Sequence, residues 1–286
     1  MTPGSPLQSV ELPQGTVRYR DSGSGQTIVF LHGLLMAGSL WEGVIARLDD
    51  RYRCIAPDLP LGAHSPALNH SADTSPPGIA RLVANLLEAL DLDAVTLVGN
   101  DTGGAIAQLL ATRHPDRIGR LVLTNCDAYQ NFLPPLFRYL QVAARLPGAT
   151  DLALQSMRIR PLRWTPLAFG LLSKGRLDGA LVDSWLRPAM QDAGVRRDAR
   201  KLLRGIHASD TVRAARELRT FDRPTLIAWA PEDRVFTVRY GERLAAEIPG
   251  ARFERIEDSL TLTPIDQPER TATLIADFVD GDGDAG

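Results

Sequence analysis

The stretch Leu97-Val98-Gly99-Asn100-Asp101-Thr102-Gly103-Gly104-Ala105 decides how the rest of the chain is read. An apolar run over 94–98 halts at a glycine. Asn100, Asp101 and Thr102 follow between Gly99 and Gly103, and an apolar-periodic segment runs over 105–111. The pattern predicts a strand, a tight turn and a helix. So sharp a turn brings neighbouring backbone close and needs small flanking residues, which Gly99, Gly103 and Gly104 supply. It lifts Asp101 out of the sheet and sets it over a helix N-terminus. Backbone N–H groups there can stabilise developing negative charge.

On both sides of this turn, strand and helix patterns alternate. Residues 16–20 alternate like a strand, and 27–31 form the continuous apolar run of a parallel strand buried on both faces. Ser39 reads as the cap of a helix reaching about 48, followed by a strand at 54–58. A helix over 76–90 opens on Pro76 and Pro77, and 121–124 is another strand. The alternation lapses over 131–218, a Leu-, Arg- and Pro-rich region that reads as several inserted helices. It resumes with a strand at 224–230, a helix at 237–248, a strand at 252–256 and a helix at 266–279. The prediction is an α/β protein with a mostly parallel, doubly wound sheet. Residues 1–130 and 219–286 form its core, and 131–218 a helical cap.

Composition narrows the function. The chain has 286 residues, a net charge of −2, 44% hydrophobic and 23% charged residues. That is ordinary for a globular protein and speaks against nucleic-acid or membrane-surface partners. Cys54 and Cys126 lie in or beside apolar strands and read as buried free thiols in a reducing compartment, hence a cytoplasmic protein. Residues 1–10 lack a signal-peptide pattern, no run of 18 apolar residues occurs, and 280–286 reads as a disordered tail. No Cys/His cluster has metal spacing and no G-x-G-x-x-G follows a strand, so neither metal nor organic cofactor is expected. The expected partner is a small-molecule substrate, and a homo-oligomer is compatible with the chain. Arg196-Arg197-Asp198-Ala199-Arg200-Lys201 reads as a solvated helix face.

Further pieces fall in a telling order: Phe30-Leu31-His32-Gly33, Ala56-Pro57-Asp58, the turn itself, Arg113-His114-Pro115, Ala230-Pro231-Glu232-Asp233 and Asp266-Gln267-Pro268-Glu269. With them the chain, over about 17–278, resembles the α/β-hydrolase fold with a helical cap between strands six and seven. Aspartate at the elbow is similar to the branch containing haloalkane dehalogenases, fluoroacetate dehalogenases and epoxide hydrolases. The resemblance implies that Asp101 attacks a carbon bearing a halide or epoxide oxygen, giving an alkyl-enzyme ester that water then cleaves. It implies an oxyanion hole from the N–H groups of Leu34 and Thr102, and Asp233 as the acid of the triad. In that pattern a histidine that activates water stands seven residues before the proline of the last motif; counting back from Pro268 gives Thr261. Threonine is no base near neutral pH, and loss of a general base costs about 10²–10⁴-fold.

Three readings stay open. Another group supplies the base: His32, His64, His70, His207, or a water held between Asp101, Asp233 and Thr261, His114 being structural. Alternatively, Asp101 is itself the base of a lyase or isomerase, or stays alkylated after one capture. In the last, the site is dead and only binds ligand. Substrate markers of the subclasses are missing. Thr102 stands where haloalkane dehalogenases carry tryptophan and near where fluoroacetate dehalogenases carry arginine, and Leu34-Leu35 replaces the asparagine or proline that follows His-Gly. Tyr129 and Tyr139, at the start of the cap, are the epoxide-type candidates. His32, Tyr129, Trp164 and Trp185 are assigned to the substrate pocket, and Asp127 is a back-up acid or, preferably, a cap hinge.

Overall fold

The computed structural model describes residues 7–281. One sheet carries eight strands: β1 (Leu7–Leu12), β2 (Gly15–Ser22), β3 (Thr27–Leu31), β4 (Arg53–Pro57), β5 (Val95–Asp101), β6 (Ile118–Cys126), β7 (Thr225–Trp229) and β8 (Arg252–Arg255). Their order is β1-β2-β4-β3-β5-β6-β7-β8. The β1/β2 and β2/β4 pairs are antiparallel; from β4 to β8 all neighbours are parallel. Every residue of β5 is buried, which explains an apolar strand without alternation.

The chain leaves β3 for β4 on one side and returns through helix Pro76–Ala89 to β5 on the other. A crevice therefore opens beyond the carboxyl ends of β3 and β5, where such sheets place their sites. Helix Pro76–Ala89 begins as its sequence requires: Ser75 Oγ accepts from Gly78 N–H at 3.3 Å, and two prolines fill the first turn. Helix Thr102–Arg113 has ten consecutive buried residues from Thr102 to Ala111.

Between β6 and β7 lie helices Arg138–Arg145, Ala149–Ser156, Gly179–Gln191, Ala193–Gly205 and Ala208–Glu217. One expectation fails here. Asp198, read as part of a solvated face, is fully buried. Its carboxylate accepts from Leu68 N–H at 2.9 Å and Arg197 Nε at 2.8 Å, and its Oδ2 lies 3.3 Å from His64 Nε2. Burial alone would raise the Asp198 pKa, but His64, the Leu68 N–H and Arg197 together hold it below the ordinary value.

Three further expectations change. Strand β1 had no clear signal, because five of its six residues are exposed or partly exposed edge positions. Ser39 does not cap a long helix; Gly38–Trp41 is a 3₁₀ turn and Glu42–Ile45 a single α turn. Its hydroxyl instead accepts from Trp185 Nε1 at 2.8 Å. Asp280 belongs to the last turn of helix Pro268–Gly281 and accepts from Tyr52 Oη at 2.6 Å. The rest of the tail, 282–286, and the first six residues lie outside the described part. Among the described residues, no helix is long and apolar enough to cross a membrane.

Candidate active site

Asp101 ends β5 and is the N-cap of helix Thr102–Arg113, with φ 55° and ψ −131°. That conformation is strained for a residue with a side chain, and its surroundings must enforce it. A Cβ on Gly103 would lie 2.5 Å from the His32 carbonyl oxygen, so only glycine lets the turn pass beneath β3. A Cβ on Gly33 would lie 2.6 Å from Asp101 Cγ. The His-Gly loop therefore closes onto the carboxylate itself. Asp101 Oδ1 accepts from Thr102 N–H at 2.6 Å and from Leu34 N–H at 3.0 Å. The two donors assigned to the oxyanion hole thus converge on one carboxylate oxygen. Burial raises the Asp101 pKa above the usual carboxylate value, and these N–H groups oppose the rise.

Asp233 follows β7 and is buried, accepting from Val235 N–H (2.7 Å), Phe236 N–H (3.1 Å) and Asn125 Nδ2 (2.9 Å). Thr261 Oγ1 donates to its Oδ2 at 2.9 Å. The structure thus brings together the two residues that the sequence assigned to the relay, and burial pushes the Asp233 pKa up to about 6. Two residues outside the sequence assignment hold this arrangement. Asn125 bridges Asp233 and the Ala230 backbone, and Asn100 Nδ2 donates to Thr261 O at 2.7 Å. Asn100 flanks Asp101 in the chain, the one signal that could have singled it out.

A cavity of about 260 Å³ lies between Asp101 and the cap. Leu34, Leu133, Phe137, Leu140, Leu154 and Phe169 give it largely apolar walls. Asp101, Thr102 and Asp127 are the polar residues on the core side. Asp233 and Thr261 do not line it, although Phe236, whose N–H holds Asp233, does.

The expected pocket residues do not line it either. His32 is fully buried, its Nε2 accepting from Leu59 N–H at 2.8 Å and its Nδ1 2.9 Å from Gly33 O. Both ring nitrogens are used by backbone, and burial lowers its pKa to about 4, so it shapes the loop as a neutral ring. Tyr129 turns away: its hydroxyl donates to Glu247 and Arg243 covers its ring. Trp164 packs beneath Arg176. Trp185 is completely buried one layer back, its ring centroid 6.0 Å from that of Phe169. No histidine lines the cavity: His64 pairs with Asp198, while His70 and His207 are exposed. Tyr139 does line it, with its hydroxyl donating to Leu167 O at 2.6 Å.

Asp127, read as a back-up acid or cap hinge, directly follows β6. It is fully buried in the cavity wall, and its Oδ2 accepts from Thr102 Oγ1 at 3.2 Å. Its Oδ1 has no hydrogen-bond partner among the described residues. Burial, and then the charge of Asp101, raise its pKa well above the carboxylate range. Asp101 has two N–H donors to stabilise an anion and Asp127 has one hydroxyl. Asp127 thus has fewer donors to its carboxylate than Asp101 does.

A family model described as alpha/beta hydrolase fold matches residues 26–268. The chain belongs to the alpha/beta-hydrolase family. It is 27% identical over 261 residues to an uncharacterized hydrolase of Bacillus subtilis, covering 89% of this chain and 90% of that protein. It is 25% identical over 270 residues to haloalkane dehalogenase 2 of Mycobacterium tuberculosis, covering 92% and 91%. Among solved structures, an ancestral haloalkane dehalogenase superposes with a TM-score of 0.79 at 22% identity, covering 96% of this chain and 99% of that one. An esterase from Thermogutta terrifontis does so with a TM-score of 0.75 at 20% identity, covering 97% and 99%. Structures this distant establish the fold and nothing finer.

Proposed function

We propose that the chain is a hydrolase whose Asp101 attacks the electrophilic carbon of a small apolar substrate, of halide or epoxide type, to form an alkyl-enzyme ester. One observation carries this reading: a strained aspartate at the floor of an apolar cavity, with one carboxylate oxygen held by two N–H groups. Oδ2 is then the attacking atom, and Oδ1 becomes the carbonyl oxygen of the ester. When water attacks that ester, the developing charge falls on Oδ1, where its donors already stand. The apolar walls favour an uncharged substrate. The relay is atypical, because Thr261 donates to Asp233 and neither group borders the cavity.

The test is intact and peptide-level mass spectrometry after incubation with small alkyl bromides and terminal epoxides. The expected result is alkylation mapping to Asp101, or release of alcohol or diol, with both lost in Asp101→Asn. That variant keeps an oxygen for the two N–H donors. Absence of adduct and product with every reagent would overturn the proposal.

A further inference from the structure

The cavity wall holds a second acid for which the Asp101 reaction has so far required no role. We propose that Asp127 is the proton donor of this site, and that its proton commits the site to epoxides. The inference rests on the reading of Asp101 as nucleophile.

The geometry fits a donor. Asp127 is fully buried, lines the same cavity as Asp101, and shares Thr102 with it: the Thr102 N–H serves Asp101 and the Thr102 hydroxyl serves Asp127. Asp127 Oδ2 accepts that hydroxyl, as the carbonyl oxygen of a carboxylic acid does. Oδ1, buried and without a partner among the described residues, is the oxygen left to carry the proton. Tyr139, the other acid of the wall, already donates to the Leu167 carbonyl.

The chemistry closes in two steps. Asp101 Oδ2 attacks a ring carbon and the C–O bond of the epoxide breaks. The Asp127 proton passes to the released alkoxide, leaving a hydroxyalkyl ester on Asp101 and a carboxylate on Asp127. That carboxylate now takes a proton from water, and the hydroxide attacks the ester carbonyl while Oδ1 is held by Leu34 and Thr102. Collapse releases the diol, whose oxygen takes the proton left on the Asp101 carboxyl. Both aspartates return to their starting states. An epoxide therefore generates the base that Thr261 cannot supply. A halide leaves as an anion and takes no proton, so Asp127 stays protonated and the alkyl ester stays on Asp101.

Two probes with one carbon skeleton, hexene oxide and hexyl bromide, separate the outcomes. Wild-type protein is expected to convert the epoxide to hexanediol over many turnovers, and to retain a stable hexyl ester on Asp101 after the bromide. In Asp127→Asn, epoxide opening should fall by about 10²–10⁴-fold, the usual worth of a general acid. Alkylation by the bromide, which needs no proton, should fall far less than epoxide opening, and circular dichroism and thermal denaturation show separately that the variant is folded. In the wild type, epoxide opening should fall as pH rises through the Asp127 ionisation, whereas bromide alkylation should not. Unchanged epoxide opening in Asp127→Asn, or no decline with pH, would overturn the role of Asp127 and leave that of Asp101 intact. Failure of the bromide to label Asp101 in the wild type would overturn both.

Discussion

At the scale of single residues, Thr261 stands at the position where the resemblance implies a histidine. Its hydroxyl completes the donors around a buried carboxylate, so its role can be read from stability as a function of pH. Asp233 has a native pKa near 6, above the unfolded value of about 4. What Asp233 contributes to stability is thus complete below about pH 4 and is lost as pH rises to about 6. Above that, the native state holds an anion that depends on its donors. Thr261→Val should therefore destabilise the fold by about 1.5–3 kcal/mol at pH 8 and by much less at pH 4, as urea denaturation at the two pH values would show. Equal losses at both would refute this. Sequence singled out Asp101, Leu34, Thr102, Asp233 and Thr261 because each sits at a fixed offset from a glycine, a strand end or a proline, and the structure links them as two hydrogen-bonded groups, Asp101 with Leu34 and Thr102, and Asp233 with Thr261. It misplaced Trp164 and Trp185, because a large side chain in a helical insertion does not report which wall it faces, and His32 and Tyr129, because a loop residue's side-chain direction is set by contacts distant in sequence. It could not place the Asp127 carboxyl in the cavity wall, because only the register of β6 against β5 brings that residue close to Asp101.

At the scale of elements, the strand–turn–helix unit is held by contacts that admit no side chain. A Cβ at Gly103 would press on the Leu31 and His32 carbonyls, which β3 fixes. Gly103→Ala should cost stability at the upper end of the roughly 1–3 kcal/mol of overpacking, and should misplace Asp101 as well. Thermal denaturation together with the rate of Asp101 alkylation checks both effects; an alanine variant of native stability and reactivity would contradict this account. The central strands were readable for a related reason: burial on both faces leaves an uninterrupted apolar signature. The edge strand β1 and the broken turn after β3 lack one, and tertiary contacts decide them.

At the scale of the whole molecule, the cap meets the core through a buried polar junction centred on Asp198. Its pKa is depressed, so its contribution is complete above the unfolded value of about 4 and is lost as pH falls through the native value. Asp198→Ala strands the Leu68 N–H, His64 and Arg197 without their acceptor, and should cost about 3–5 kcal/mol at neutral pH. Faster tryptic cleavage within 193–205 would report loosening of the cap there, and the difference from wild type should shrink below about pH 4. A cleavage rate equal to the wild type at pH 7 would count against such a junction. The convergence of two N–H groups on Asp101 Oδ1 reaches further than the local chemistry. Paired N–H groups at a strand-to-helix turn of this kind form a seat for the oxygen of an acyl intermediate. Here the protein's own side chain fills it, so a carboxylic ester entering the cavity meets no vacant electrophilic seat. With that seat taken by Asp101, the arrangement suits the displacement at saturated carbon proposed for this site better than it suits acyl transfer.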